Sequence, residues 1–115
     1  MEENRTYGQI FEAVKSEDVK TAVLQNQKVI LDYTAKWCNP CKKLEPVLKN
    51  FASTFPNILI LKIDIDNQEF SDLIEQCSVK NLPTIQFYHN QEMIGDIVGF
   101  KEEEFPTYLN DFANK

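Results

Sequence analysis

Two cysteines three residues apart, Cys38 and Cys41, are the side chains of this sequence best suited to chemistry. Cysteines at this spacing can close a short-loop disulfide, and such a disulfide can exchange with thiols of other molecules. The spacing alone is weak evidence, so its position along the chain decides the interpretation. His89 is the only histidine, which excludes sites with two histidine ligands and leaves one candidate for any histidine base.

The cysteine pair lies where a predicted buried strand ends and a predicted helix begins. Residues 29–31 form a continuous apolar run typical of a strand covered on both faces, and from Pro40 onward apolar residues recur every three or four positions. Cys38 is thereby placed at a helix N-terminus, where free amides and the helix dipole favour a thiolate. We expect Cys38 to be the exposed nucleophile and Cys41, on the apolar face, to be the poorly exposed resolving thiol.

Asp32 is the candidate base for Cys41. It directly follows the buried run, so we expect its carboxyl beneath the cysteines, with a pKa raised by burial, taking the Cys41 proton directly or through one water. Lys62, in the next apolar strand, can offset part of that charge. The alternative is a carboxylate in solvent at a turn, which the preceding apolar run disfavours.

The remaining hydrophobic pattern predicts the order strand, helix, strand, helix, strand, helix, strand, strand, helix, within a single domain of residues 1–115. Alternation in the first half implies parallel pairing, and a hairpin turning at Asn90 and Gln91 adds an antiparallel pair. We therefore expect an α/β fold, with a central mixed sheet of about five strands flanked by four helices.

Several residues predict where the helices begin. Ser16 is expected to cap the first helix, and Asp66 stands in capping-box spacing with Glu69 before the third. Residues 102–104 are acidic and are expected at the N-terminus of the last helix, where they complement the dipole. Pro106 is expected to disorder the first turn of that helix or delay its start.

The charge balance argues against several classes of partner. Twelve Lys and Arg against eighteen Asp and Glu give a net charge of -6, which repels nucleic-acid phosphates and anionic lipid. The polar N-terminus lacks the pattern of a secretory signal, and the longest apolar stretch, residues 58–61, is only strand-sized. Three cysteines suit a reducing compartment. We expect a cytoplasmic protein, with a nuclear location as the alternative, and no nucleic-acid or membrane partner.

Residues 29–41, VILDYTAKWCNPC, resemble the active-site segment of the thioredoxin family, whose members commonly have Trp-Cys-Gly-Pro-Cys six residues after a buried Asp. The resemblance runs in order over nearly the whole chain from about Ile10. Further matching positions are a proline that kinks a helix, a charged strand end, a cis-proline facing the cysteines and a glycine: Pro46, residues 62–66, Pro83 and Gly99.

The resemblance implies the thioredoxin fold and an enzyme that reduces protein disulfides without a bound cofactor. The Leu82-Pro83 bond is expected to be cis, leaving the Leu82 backbone free to pair with an extended substrate. Trp37, Pro40, Leu82 and Gly99 are expected to form an apolar contact surface for substrates. Electrons are expected from a flavin- and NADPH-dependent thioredoxin reductase, and targets to include peroxiredoxins, ribonucleotide reductase or methionine sulfoxide reductases.

The chain departs from the family pattern at a few positions. Asn39 replaces the usual glycine between the cysteines and is expected to tune the redox poise. Tyr33 and Thr34 look more like the eukaryotic branch than the bacterial one. Phe100 places a bulky ring after Gly99, where it could reshape the substrate surface.

Two reactive side chains are expected to have no part in the reaction. Cys77 lies on the apolar face of the third helix, which favours a buried, inert thiol over a regulatory one, and His89 is expected in a solvent-exposed turn. We expect no metal site. Two alternative functions remain: a thioredoxin-like adaptor or co-chaperone, and a more oxidising, isomerase-like variant in which Asn39 destabilises the disulfide.

Overall fold

The computed structural model of the protein describes residues 7–115. The expectations of no secretory signal and of one domain starting at residue 1 extend to residues 1–6, which lie outside the described residues. The strands are β1 (Ile10–Glu12), β2 (Lys28–Thr34), β3 (Leu59–Asp64), β4 (Thr84–His89) and β5 (Glu92–Val98). The helices are α1 (Ser16–Gln25), α2 (Asn39–Thr54), α3 (Ser71–Gln76) and α4 (Phe105–Ala113), with a short 3-10 helix (Gln68–Phe70) before α3.

The five strands form one mixed sheet in the order β1-β3-β2-β4-β5. β3 pairs in parallel with both β1 and β2, whereas β4 pairs antiparallel with β2 and with β5. The predicted mixed sheet of about five strands, with an antiparallel hairpin at its end, is thus confirmed. β2 is therefore central, with paired strands on both sides, so the residues at its end are held by two hydrogen-bonded neighbours.

Apolar side chains cover both faces of the sheet. On one face, Ile30, Ile60 and Ile85 pack in a single cluster with residues of α2 and α4, and on the other Leu31 and Leu61 pack with residues of α1. Successive residues of a strand point to opposite faces. Asp32 therefore points to the same face as Ile30, towards α2. None of the helices within residues 7–115 is long and apolar enough to cross a membrane.

The helix starts differ from prediction in three places. The Asp18 carboxylate, not Ser16, accepts hydrogen bonds from the amides before α1, those of Val14 and Lys15, at 2.8 and 3.1 Å. Before the 3-10 helix, Asn67 rather than Asp66 accepts the Glu69 amide, because the chain turns one residue later than a capping box requires.

The third difference concerns the last helix. Residues 102–104 form a turn that precedes α4, and the helix begins at Phe105. Pro106 was expected to disorder the first turn or delay the helix start, but it has no amide hydrogen and is accommodated within the first turn. Pro46, in contrast, lies inside α2, which continues through it.

The β4–β5 hairpin turns at Asn90 and Gln91, as predicted, and both residues have positive φ, 52° and 72°. His89, expected in an exposed turn, is instead a half-buried residue of β4. Phe100, expected on the substrate surface, packs against the core, with its ring 5.6 Å from that of Phe105. His89 is shielded as a paired residue of β4, in register with Lys28 and Glu92, and Phe100 is drawn inward by its apolar contacts.

Candidate active site

Cys38 and Cys41 form a disulfide at the N-terminus of α2, with Cα atoms 5.3 Å apart. Cys38 is the N-cap residue of the helix, and its Sγ accepts a hydrogen bond from the Cys41 amide at 3.2 Å. An amide at a helix N-terminus that donates to sulfur stabilises negative charge there. The helix start predicted for this segment is confirmed, and Asn39 is its exposed first residue.

The two cysteines do not differ in exposure as expected. Cys38 is 5% exposed and Cys41 is 6% exposed, and both pack in a small cluster with Ala35, Ile65 and Leu82. The expectation of an exposed Cys38 was wrong for this disulfide form, since these neighbours cover both cysteines. The difference between the sulfurs lies in what surrounds each of them.

Asp32 is buried, with 4% of its surface exposed, and its Oδ1 has no hydrogen-bond partner among the described residues. Burial disfavours the carboxylate and raises the pKa of Asp32 from 3.8 to about 7, although Lys62 opposes the shift and Glu45 adds to it. Asp32 and Lys62 are register partners in the parallel β2–β3 pair. The predicted burial and raised pKa are confirmed, and such a carboxyl can exchange a proton near neutral pH.

A cavity of about 220 Å³ opens beside Cys41. Glu45, one turn after Cys41 on α2, lines it together with Lys62, and the Glu45 Oε2 atom lies 3.5 Å from Lys62 Nζ. The sequence interpretation included Lys62 but missed Glu45. Its signal was the four-residue spacing from Cys41, which places both side chains on one helix face.

A groove of about 430 Å³ opens on the other side of the disulfide, beside Cys38. Trp37 stands at its rim with 64% of its surface exposed, and its Nε1 donates a hydrogen bond to Asp66 at 2.8 Å. Pro40 and Leu82 also line the groove. The predicted contact residues Trp37, Pro40 and Leu82 are thus brought together, whereas Asp66, considered only as a strand-end and capping residue, is found to hold the indole.

The Leu82-Pro83 peptide bond is cis, as expected. Pro83 is buried, and its carbonyl accepts a hydrogen bond from the Gly99 amide at 2.8 Å. Gly99 has a φ of 86°, a conformation that favours glycine. Gly99 therefore lies next to Pro83, although it does not line the groove beside Cys38.

The remaining candidates lie apart from the disulfide. Cys77 is a half-buried free thiol at the C-terminus of α3, and its Sγ accepts a hydrogen bond from the Tyr33 hydroxyl at 3.6 Å. His89 Nε2 is buried without a hydrogen-bond partner within the described part of the chain. Residues 7–115 contain no group of three or more His, Cys, Asp or Glu side chains placed to hold a metal ion.

Comparison with known proteins identifies the family to which a chain with this site belongs. The sequence model of the family Thioredoxin matches residues 10–111, most of the chain. The chain belongs to the thioredoxin family. It is a thiol-disulfide oxidoreductase that acts on protein disulfides, and Cys38 and Cys41 are its redox-active pair.

Individual relatives agree with the family. Thioredoxin from Homo sapiens is 29% identical over 106 residues, which cover 87% of this chain and 99% of that protein. The crystal structure of thioredoxin from Trypanosoma brucei brucei superimposes with a TM-score of 0.84 over 100% of both chains, at 24% identity, which shows the shared thioredoxin fold. A chain solved in work on the thiol resolving mechanism in yeast mitochondrial 1-Cys peroxiredoxin via glutathione/thioredoxin systems is also similar. Its TM-score is 0.80 at 25% identity, over 92% of this chain and 98% of that one.

Proposed function

We propose that this protein works as a reductase in which the two cysteines act in a fixed order. Cys38 attacks the substrate disulfide, Cys41 resolves the mixed disulfide, and Asp32 accepts the Cys41 proton. The observation that carries the proposal is the contrast around the disulfide: Cys38 lines an open groove, whereas Cys41 lines a charged cavity that reaches Lys62, the register partner of Asp32.

The direction of attack follows from the local electrostatics. In the reduced protein the Cys38 thiolate stands at the N-cap of α2, where the free amides and the dipole of a helix of 16 residues stabilise its charge. Both thiols are buried, which disfavours ionisation of each, but Cys38 is the N-cap residue and its Sγ accepts a hydrogen bond from the Cys41 amide, whereas Cys41 lies inside the first turn. A base within the fold is therefore needed at the second step, and Asp32 has the appropriate pKa.

The substrate is proposed to lie in the groove beside Cys38. Trp37, Pro40 and Leu82 supply apolar contact, and an extended segment of the substrate pairs with the backbone of Leu82 beside cis Pro83. Gly99 leaves space next to Pro83, since a Cβ atom added there would meet nothing within 4 Å. Asn39, exposed between the cysteines, is proposed to tune the stability of the disulfide.

The order of roles is tested by trapping. Reduced Cys41→Ser mixed with an oxidised, disulfide-containing protein should accumulate a mixed disulfide through Cys38, seen by mass spectrometry as the sum of the two masses. Cys38→Ser should accumulate none and should lose turnover. Serine is close to cysteine in size, and circular dichroism checks that both variants fold. Undiminished turnover in Cys38→Ser would refute the proposed mechanism.

We also propose the partners that the family membership suggests, an NADPH-dependent thioredoxin reductase as electron donor and peroxiredoxins among the substrates. The similar chain from the yeast peroxiredoxin work supports the second. Oxidation of NADPH by purified reductase, this protein and an oxidised peroxiredoxin tests both together. Oxidation that does not depend on this protein would contradict the proposal.

A cytoplasmic location is part of the proposal, supported by the free thiol of Cys77, which a reducing compartment preserves. Fractionation of cells that express a tagged chain is the test. Enrichment in an oxidising compartment would overturn it.

A further inference from the structure

The charge of one ammonium group, that of Lys62, acts on two carboxyl groups that belong to different elements. Asp32 is its register partner on β2, and both side chains point to the sheet face covered by α2. Glu45 reaches down from α2 and places Oε2 3.5 Å from Lys62 Nζ. The Lys62 side chain is flexible, and its contact with Glu45 holds the ammonium group towards α2, so the position of Glu45 affects the distance at which the Lys62 charge acts on Asp32.

The pair is shielded enough for this competition to matter. The side chains of Lys62 and Glu45 are 26% and 35% exposed, and both line the cavity of about 220 Å³ beside Cys41. Charges at partly buried positions interact more strongly than fully exposed ones because less water screens them. Glu45 also contacts Lys49 at 3.9 Å, but that lysine is 67% exposed and its pairing contributes little.

Four further charged side chains line the same cavity and contribute to the electrostatic potential around Lys62 and Glu45. Glu12 extends from β1, Asp64 from β3, Lys36 from the loop before α2, and Lys42 from α2 itself. Their charges are balanced in number, two negative and two positive. On the β4 side the register partner of Asp32 is Ile85, which does not titrate. Glu45 and Lys62 are the charged neighbours whose effects on the Asp32 pKa are resolved, and the two effects have opposite sign.

We propose that Glu45 is a positioning residue for the proton transfer at Asp32: by holding Lys62 it keeps the carboxyl basic and sets the pH at which Cys41 is activated. The inference rests on the proposed role of Asp32 as proton acceptor. Glu45 itself need not exchange a proton with the cysteines.

The step that Glu45 influences is the resolution of the mixed disulfide. The Cys41 thiol gives its proton to the Asp32 carboxylate, and the Cys41 sulfur attacks Cys38. The bond between Cys38 and the substrate sulfur breaks, and the substrate leaves as a thiolate. The two protein cysteines are oxidised by two electrons and the substrate disulfide is reduced by two. The proton then returns from Asp32 to solvent.

The first test is a titration of the Asp32 carboxyl by carbon-13 NMR in the oxidised protein, compared with Glu45→Gln. Glutamine keeps the size of the side chain and removes its charge, so Lys62 is released towards Asp32. The midpoint of the Asp32 titration should fall by roughly 0.5 to 1 pH unit. The second test is the pH profile of the resolving step in single-turnover reactions, whose acid limb should move to lower pH by the same amount.

Two control variants separate this effect from a general change in charge. Glu17→Gln removes one negative charge from the exposed surface of α1, across the sheet from the cavity, and should leave both the midpoint and the acid limb unchanged. Lys49→Met removes the exposed partner of Glu45 and should also leave them in place.

The outcomes distinguish this inference from the proposed function. An unchanged Asp32 midpoint in Glu45→Gln, or a shifted midpoint with an unmoved acid limb, overturns the positioning role of Glu45. Asp32→Asn tests the proposed function separately: if this variant keeps the acid limb of the pH profile, Asp32 is not the proton acceptor. If Asp32→Asn removes the acid limb and Glu45→Gln moves it to lower pH, the role of Asp32 as proton acceptor and the positioning role of Glu45 are both supported.

Discussion

The cavity beside Cys41 and the groove beside Cys38 differ in charge more than in size. Six charged side chains line the cavity, whereas among the described residues that line the groove Lys80 alone is charged. The groove has an exposed indole at its rim, and the cavity leads to Lys62, the register partner of a buried carboxyl. In the proposed mechanism one side moves a proton and the other contacts the substrate protein, and the two cysteines they serve have Cα atoms 5.3 Å apart.

This division implies that the two sides can be perturbed separately. Changes on the cavity side should alter pH dependence and stability and leave substrate binding intact. Changes on the groove side should alter the KM for protein substrates and leave the Asp32 titration intact. A single substitution that changed both the Asp32 titration and the KM for protein substrates would contradict this division between cavity and groove.

The largest effect is expected from Asp32→Asn on the stability of the oxidised protein. Because the folded pKa is raised from 3.8 to about 7, the folded state binds the Asp32 proton more tightly than the unfolded state. The stabilisation that proton binding at Asp32 gives the folded wild-type protein is therefore fully present below about pH 4 and is lost as the pH rises through about 7. At pH 8 the variant should be more stable by about 4 kcal/mol, since a neutral amide replaces a buried carboxylate.

Urea denaturation at pH 4 and pH 8 measures this change in the free energy of unfolding. Asp66→Asn is the matched control from the groove side, where the carboxylate is exposed and its substitution should change stability by no more than about 0.5 kcal/mol. A variant that is no more stable than the wild type at pH 8 would contradict the burial of a charged Asp32.

The burial of Asp32 was predictable from sequence, whereas the control of its charge was not. An apolar run covered on both faces carries the next residue into the interior, so residues 29–31 are sufficient to bury Asp32. The helix that starts at the cysteines follows equally from the apolar spacing after Pro40. These are local patterns, in which neighbouring residues along the chain dictate the outcome.

The pairing of Glu45 with Lys62 depends on α2 crossing over β3, and no pattern within either segment contains it. The same holds for Trp37 and Asp66, which are 29 residues apart and meet through a side-chain hydrogen bond. The burial of Cys38 was missed for a related reason. The position of a cysteine in a helix indicates the charge that its sulfur can bear, but the exposure of Cys38 depends on residues distant in sequence, Ile65 and Leu82, that pack against it.

The second largest effect is expected from Trp37→Ala on the groove side. An exposed aromatic ring at a binding surface commonly contributes more than 1 kcal/mol to association, so kcat/KM for a protein disulfide should fall about tenfold, mainly through KM. Reduction of a small disulfide that covers little of the groove should change much less. The Asp32 midpoint should stay near 7.

Steady-state kinetics with both kinds of substrate provide the measurement. Tyr108→Ala is the control, because Tyr108 is another exposed aromatic residue, located on α4 and outside the groove. An equal loss with small and protein disulfides would mean that Trp37 acts on the chemistry at Cys38, and the division between the two sides would fail.

The smallest effect is expected from Asp66→Ala, which removes the acceptor of the Trp37 indole. The hydrogen bond is 2.8 Å long and joins two exposed side chains, so its net contribution is modest, and KM for a protein disulfide should rise roughly twofold to fivefold. Because the effect acts by orienting Trp37, it should vanish in the Trp37→Ala background. A double-mutant cycle on KM measures this coupling. If the Asp66→Ala effect were undiminished without the indole, Asp66 would contact the substrate itself, and the groove would recognise charge as well as apolar surface.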